Sequence, residues 1–187
     1  MAPKPGHRSR GHLVTGFFDS NLSPDDYLAT IEEERYAGFN LIVGTSNDVA
    51  YLSNREEGTR RLEPGTYGLS NALLDGPWHK VESSKEKLRE LLESNAANES
   101  TLLRLMNDRT KGPVSEVRTD QLKFDQAHAI TAPFIVMPDY GTRCTTVVMA
   151  DTGGTWRFTE RRFDPAGQKT GESKFSFSTG VTRSATP

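Results

Sequence analysis

A chain of 187 residues, 34% hydrophobic and 26% charged, is long enough to bury a sizeable core. Its mean hydropathy of −0.61 implies either polar ends or a core that the chain contains only in part. The net charge is −2 with acids and bases interspersed, which leaves no basic face for nucleic acid, and no apolar run approaches the ~20 residues of a membrane span. The single cysteine, Cys144, excludes an internal disulfide and a cysteine-rich zinc site and points to a reducing compartment, the cytoplasm.

The first eight residues are rich in proline, glycine and basic side chains and read as disordered. They are not followed by the apolar stretch of a secretory signal. Leu13, Val14, Phe17 and Phe18 have helical spacing. Ser23-Pro24-Asp25-Asp26 then reads as a helix start, with Ser23 as cap, Pro24 at the first helical position and acids at the positive end. The expected helix runs to about Tyr36 and stops at Gly38. Phe39 to Gly44 reads as a buried strand, Asn47-Asp48 as a turn and Ala50 to Ser53 as the returning strand of a hairpin. Arg61 to Leu69 reads as a third extended stretch, turned by Pro64-Gly65.

Pro77 is expected to open a helix with Trp78, Val81, Leu88, Leu91 and Leu92 buried and the Lys85–Glu93 charge run solvated. Asp75 is expected to cap it. Asn98 caps a further helix through Met106, and the polar residues 108–126 read as an excursion loop. Apolar character returns at Ala129. Thr145 to Ala150 reads as a strand, Asp151 to Gly154 as a hairpin turn, and Trp156 to Arg161 alternates so that one face is expected to be buried. Lys174 to Ser178 alternates too and reads as a last strand, and the tail from Thr179 reads as disordered. The whole is expected to be one α+β domain with its core at about 9–178.

Several segments together resemble the NRDE family, also called the Transport and Golgi organisation family. They are Ser9 to Val14, Gly38 to Gly44, Tyr51 to Arg55, Pro64 to Trp78, Tyr140 to Thr146 and Phe158 to Arg161, in the family's order. The resemblance implies an αββα sandwich similar to N-terminal-nucleophile (Ntn) hydrolases. It also implies an initial Met-Cys, an Asn-Arg-Asp-Glu motif and a Gly-Gly-Thr-Trp-Leu-Gly segment, none of which stands where it belongs. Ser53-Asn54-Arg55-Glu56 is a different motif, and Gly153-Gly154-Thr155-Trp156 is a hairpin turn. The expectation is therefore an N-terminally shortened member, an incomplete sandwich lacking its first strands, with an apolar sheet face left open.

Candidate ligand-binding residues are Tyr67, Ser70, Asn71, Trp78, Tyr140 and Arg143. By likeness to acylase relatives of the fold, Asn71 and Arg143 are candidates to assist an oxyanion or rim a pocket. The alternative readings are Asn71 as a turn-shaping residue and Arg143 as a surface arginine at a strand end. Cys144 is internal and reads as a small buried hydrophobe. The widely spaced histidines make no metal motif, and His79, beside Trp78, reads either as an exposed histidine at the helix start or as one that touches a haem. The resemblance implies a non-catalytic protein of trafficking that handles a small apolar ligand, haem or an acyl lipid such as acyl-CoA. The alternative is an Ntn-type cysteine amidohydrolase acting on acyl amides, whose nucleophilic cysteine is absent here.

Overall fold

A computed structural model describes residues 7–119 and 122–178. Of the ends read as disordered, residues 1–6 and 179–187 lie outside the described residues. At Arg8 the chain is already paired, its N–H donating to Arg35 O at 2.8 Å. The chain divides into two compact units, Met1–Gly65 with Asn71–Leu74, and Thr66–Ser70 with Asp75–Pro187.

The first unit begins with α1 (Gly11–Asp19) and α2 (Pro24–Ala29). The start of α2 is as read: Ser23 Oγ accepts from the Asp26 N–H at 3.2 Å. Its end is not. Thr30 Oγ1 donates to Tyr27 O at 2.7 Å, and Ile31 N–H reaches only three residues back, to Leu28 O. Glu32 then leaves helical geometry at ψ 86°. A threonine bonded to its own helix and a tightened last turn end α2 at Ala29, and only a short 3₁₀ turn, Glu33–Arg35, follows before Tyr36.

Strands β1 (Asn40–Gly44), β2 (Val49–Ser53) and β3 (Thr59–Arg61) form an antiparallel sheet in chain order. The hairpin is as expected, closed by Thr45 N–H to Asp48 O at 2.8 Å. β1 is half-buried rather than buried: Leu41 and Val43 point inward while Ile42 is 45% exposed. The third extended stretch is shorter than read, because pairing ends at Leu62 N–H to Val49 O and Pro64 has no N–H to continue a ladder.

Helix α1 packs on β1, and α2 on β2 and β3. Between them lie Leu13, Tyr27, Leu28, Phe39, Leu41, Val43, Ala50 and Leu52, and each large aliphatic side chain there stabilises the fold by about 1.5–3 kcal/mol. Polar groups in this core are paired: Tyr27 Oη donates to Leu13 O at 2.6 Å and Ser53 Oγ to Phe39 O at 3.0 Å.

The second unit holds α3 (His79–Glu93), α4 (Glu99–Leu105), α5 (Phe124–Ala129) and strands β4 (Cys144–Ala150), β5 (Thr155–Phe163) and β6 (Lys169–Ser178). α3 packs against α4, which starts on the reciprocal Asn98–Thr101 capping pair that its sequence implies. Along α3, Val81 is buried, but Leu92 is 51% exposed. The polar stretch 108–126 is not wholly loop: it contains a 3₁₀ turn at Val114–Glu116 and the start of α5.

Asp75 does not cap α3. Its backbone sits at φ +56°, and its Oδ1 accepts from Gly68 N–H at 2.8 Å and from Lys85 Nζ at 2.7 Å. Its own N–H returns to Gly68 O at 2.7 Å. Lys85 therefore leaves the solvated face expected for it, and its side chain is only 11% exposed. A Cβ at position 68 would fall 2.6 Å from Val81 Cγ1, so glycine is what lets this stretch of backbone lie against α3.

β4, β5 and β6 form a second antiparallel sheet in chain order, with an irregularity at Arg162/Phe163. The hairpin turn before Thr155 is as read, with Asp151 N–H donating to Thr155 O. One face is buried, as the alternation implies, and it is the face that carries the threonines. Thr145, Val147 and Thr159 are buried, and α4 packs on β4, its Glu99 paired with Lys174, the strand neighbour of Thr159. The other face carries two cross-strand ladders, Val148–Phe158–Phe175 and Ala150–Trp156–Phe177. Val148, Phe175 and Phe177 are 52%, 62% and 53% exposed. Cys144 lies on that same face and is exposed, which corrects the buried position expected for it.

Candidate functional site

The segment 64–78 singled out in the sequence is divided between the units. Residues 71–74 are held in the first unit by side chains of its sheet. Arg55 Nη1 donates to Asn71 O at 2.6 Å, Asn40 Nδ2 to Ala72 O at 2.8 Å, and Leu74 N–H to Tyr51 Oη at 3.3 Å. Tyr51 Oη in turn donates to Asn40 Oδ1 at 2.8 Å. The Asn71 side chain is exposed, and it is the backbone carbonyl that is fastened. The Ser53-Asn54-Arg55 motif has a similar use. Asn54 Oδ1 accepts from Phe39 N–H at 2.9 Å, and its Nδ2 faces the carbonyls of Glu33, Tyr36 and Ala37.

In the second unit, Trp78 precedes α3 with extended backbone (φ −103°, ψ 137°). It lines a cleft of about 410 Å³ together with Pro77, His79, Ser115, Glu116, Arg118 and Thr131. The wall opposite α3 is made by the polar excursion, which is tied down on both sides. Gly112 N–H donates to Thr131 Oγ1 at 2.8 Å, Thr131 Oγ1 donates to His128 O at 2.6 Å, and His128 Nε2 lies 2.9 Å from Gly112 O. Position 112 has no room for a side chain, since a Cβ would stand 2.9 Å from His79 Cβ. The volume lies within the ~300–1,000 Å³ of small-molecule sites.

Charge in the cleft is uneven. Glu116 Oε2 accepts from His79 N–H at 3.1 Å, a carboxylate at the positive end of a fifteen-residue helix. Lys80 lies beside the cleft. Its Nζ is 5.8 Å from the centroid of the Trp78 ring and donates to Ile130 O at 3.0 Å. Burial pulls its ammonium below the usual lysine range. Arg118 is exposed at the rim.

Of the residues read as binding candidates, Trp78 is the one that lines this cleft. Tyr67 and Ser70 are half-buried in the second unit, while Tyr140 and Arg143 are exposed there. None of these four belongs to the cleft lining. Tyr140 closes a turn through Met137 N–H to Tyr140 O, and Arg143 O accepts from Phe163 N–H. Sequence reasoning passed over Lys80, Glu116, Arg118 and Thr131. The available signal was the polar run near Glu116, but its return to α3 spans 37 positions, and local periodicity carries no information at that range. Among the described residues no group of three or more His, Cys, Asp or Glu could hold a metal ion, and no helix is long and apolar enough to cross a membrane.

The family model described as Transport and Golgi organisation 2 matches residues 1–165. The chain belongs to this family. It is 35% identical over 170 residues to the Transport and Golgi organization protein 2 homolog of Bos taurus, covering 82% of this chain and 62% of that protein. It is 34% identical over 170 residues to the Homo sapiens homolog, with the same coverage. The Mus musculus Transport and Golgi organization 2 homolog is 34% identical over 174 residues, covering 84% of this chain and 63% of that protein. The chain thus spans less than two thirds of the length of these relatives. The Transport and Golgi organisation 2 match includes every cleft residue and every binding candidate.

Proposed function

We propose that this chain is a non-catalytic ligand-binding member of the Transport and Golgi organisation 2 family, which takes haem or an acyl lipid into the cleft beside Trp78 and works in its trafficking. The observation that carries this reading is the joining of an indole face and an imidazole, Trp78 and His79, in one cleft of ligand size. Trp78 offers the flat apolar surface on which a tetrapyrrole or an acyl chain is held. His79 is the residue that would hold haem iron, and a bound haem would supply a planar, redox-capable iron centre. The finer fold, an Ntn-hydrolase-like αββα sandwich, belongs to the same reading. Two antiparallel sheets, the first with α1 and α2 and the second with α4 packed on its strands, support it. So does a reducing cytoplasmic setting, for which the unpaired and exposed Cys144 argues.

The test is titration of the purified chain with haemin, followed by the Soret band, and with oleate, followed by tryptophan quenching. Saturable binding of at least one probe is expected. Trp78→Ala should weaken it about tenfold, the equivalent of about 1.4 kcal/mol. His79→Leu should shift the Soret maximum of any haemin complex. Absence of saturable binding by both probes, or wild-type binding in both variants, would overturn the reading.

A further inference from the structure

We propose that the cleft selects its ligand by a carboxylate, which Lys80 holds while the ligand's apolar body lies on Trp78. This inference rests on the reading that the cleft is the ligand site.

Lys80 is the residue whose situation calls for an anion. Its ammonium is half-buried and takes part in no ion pair among the described residues. One N–H goes to Ile130 O, the residue before Thr131 of the cleft lining, and the Trp78 ring lies on another side. A carbonyl dipole and a ring face attract a cation, but neither neutralises it. A desolvated ammonium left in that state disfavours its own charge, as its lowered proton affinity reflects. A carboxylate arriving in the cleft would supply the missing counter-charge, in a charge-assisted hydrogen bond stronger than the one Lys80 already makes.

The ionic groups that line the cleft, which Lys80 borders, agree with this assignment. Glu116, the carboxylate of the lining, is engaged by His79 N–H and so is turned to the helix end. Arg118, at the rim, adds a second cation. The ligand class that fits is a carboxylate on a planar or chain-like apolar body, because the Lys80 ammonium, 5.8 Å from the centroid of the Trp78 ring, stands next to the apolar surface that would hold the body. Tetrapyrroles and fatty acids both answer this description, so the experiment runs both.

The whole chain is titrated with haemin against haemin dimethyl ester, and with oleate against methyl oleate. In at least one pair the ester should bind about tenfold more weakly than the acid. Lys80→Gln should weaken the acid to the level of the ester and leave the ester unchanged, and Lys80→Arg should restore the preference. Urea midpoints matching the wild type show that both variants fold. Equal binding of acid and ester in both pairs, or a Lys80→Gln loss that falls on acid and ester alike, would overturn the inference while leaving the cleft as a ligand site. If no probe binds the wild type, the reading of the cleft itself fails and the inference goes with it.

Discussion

The two sheets have the same strand count and the same meander order, yet they treat their apolar residues in opposite ways. In the first, β2 buries Ala50, Tyr51, Leu52 and Ser53 in succession, to 1% exposure or less, because helices, the strand ends and the 71–74 segment enclose it. In the second, Phe175 and Phe177 of β6 are more than half exposed and Trp156 and Phe158 beside them half-buried, while Thr145, Val147, Thr159 and Phe163 are buried. Alternation in a strand states that two faces differ. Which one is covered depends on what packs there, and in the second sheet α4 packs on the threonine side.

The largest effect should come from comparing an alanine substitution in each sheet. Leu52→Ala, at 1% exposure, should cost about 2–5 kcal/mol through lost burial and a residual cavity. Val148→Ala, at 52% exposure, should stay within about 0.5 kcal/mol. Urea unfolding followed by far-ultraviolet circular dichroism measures both, and equal losses would break the comparison.

A smaller, pH-dependent effect concerns how the second unit is fastened by charge. Burial opposes ionisation of Asp108, but the Lys87 ammonium and hydrogen bonds from Thr110 outweigh it and lower the carboxyl from its ordinary 3.8 to about 2. A folded pKa below the unfolded one stabilises the fold above about pH 3.8, and that gain disappears as the pH falls toward 2. Asp108→Asn should therefore flatten the decline of the urea midpoint between those values. An unchanged acid limb would show that this pair contributes nothing.

The smallest change in stability should come from the double substitution Phe175→Ser with Phe177→Ser. Both rings are more than half exposed, so the unfolding free energy from urea titration should move by no more than about 0.5 kcal/mol. Binding of a hydrophobic dye such as ANS should nevertheless fall clearly, because these rings form much of the open apolar face. A large loss of stability with unchanged dye binding would mean that the face is covered after all.

Much of this architecture was legible from residues a few positions apart. The Ser23-Pro24 start, the Asn98 cap, the Asn47-Asp48 hairpin and the Asp151–Gly154 turn all depend on contacts within four positions. The errors have a common cause as well. Asp75 was assigned to the nearest helix start, but its partners are Gly68 and Lys85. Lys85 was assigned to solvent by the charges around it, and a carboxylate ten positions away draws it inward. Gly38 reads as the stop of helix α2, while the Thr30 hydroxyl and a tightened last turn end it at Ala29. Of the cleft lining, Trp78 is the residue that also stands among the binding candidates, because an aromatic at a turn-to-helix junction is conspicuous. Lys80, Glu116, Arg118 and Thr131 carry no local mark of their use.

By itself, then, the sequence determined the α+β class, the family, and the turns and caps, because backbone preference, capping chemistry and motif order are local or linear properties. Tertiary structure alone decided which sheet face is covered, where Asp75 and Lys85 go, and which residues of the 108–131 stretch meet α3. Those outcomes turn on burial and hydrogen bonds between residues tens of positions apart, where each group's energy is set by what arrives beside it rather than by its neighbours in the chain.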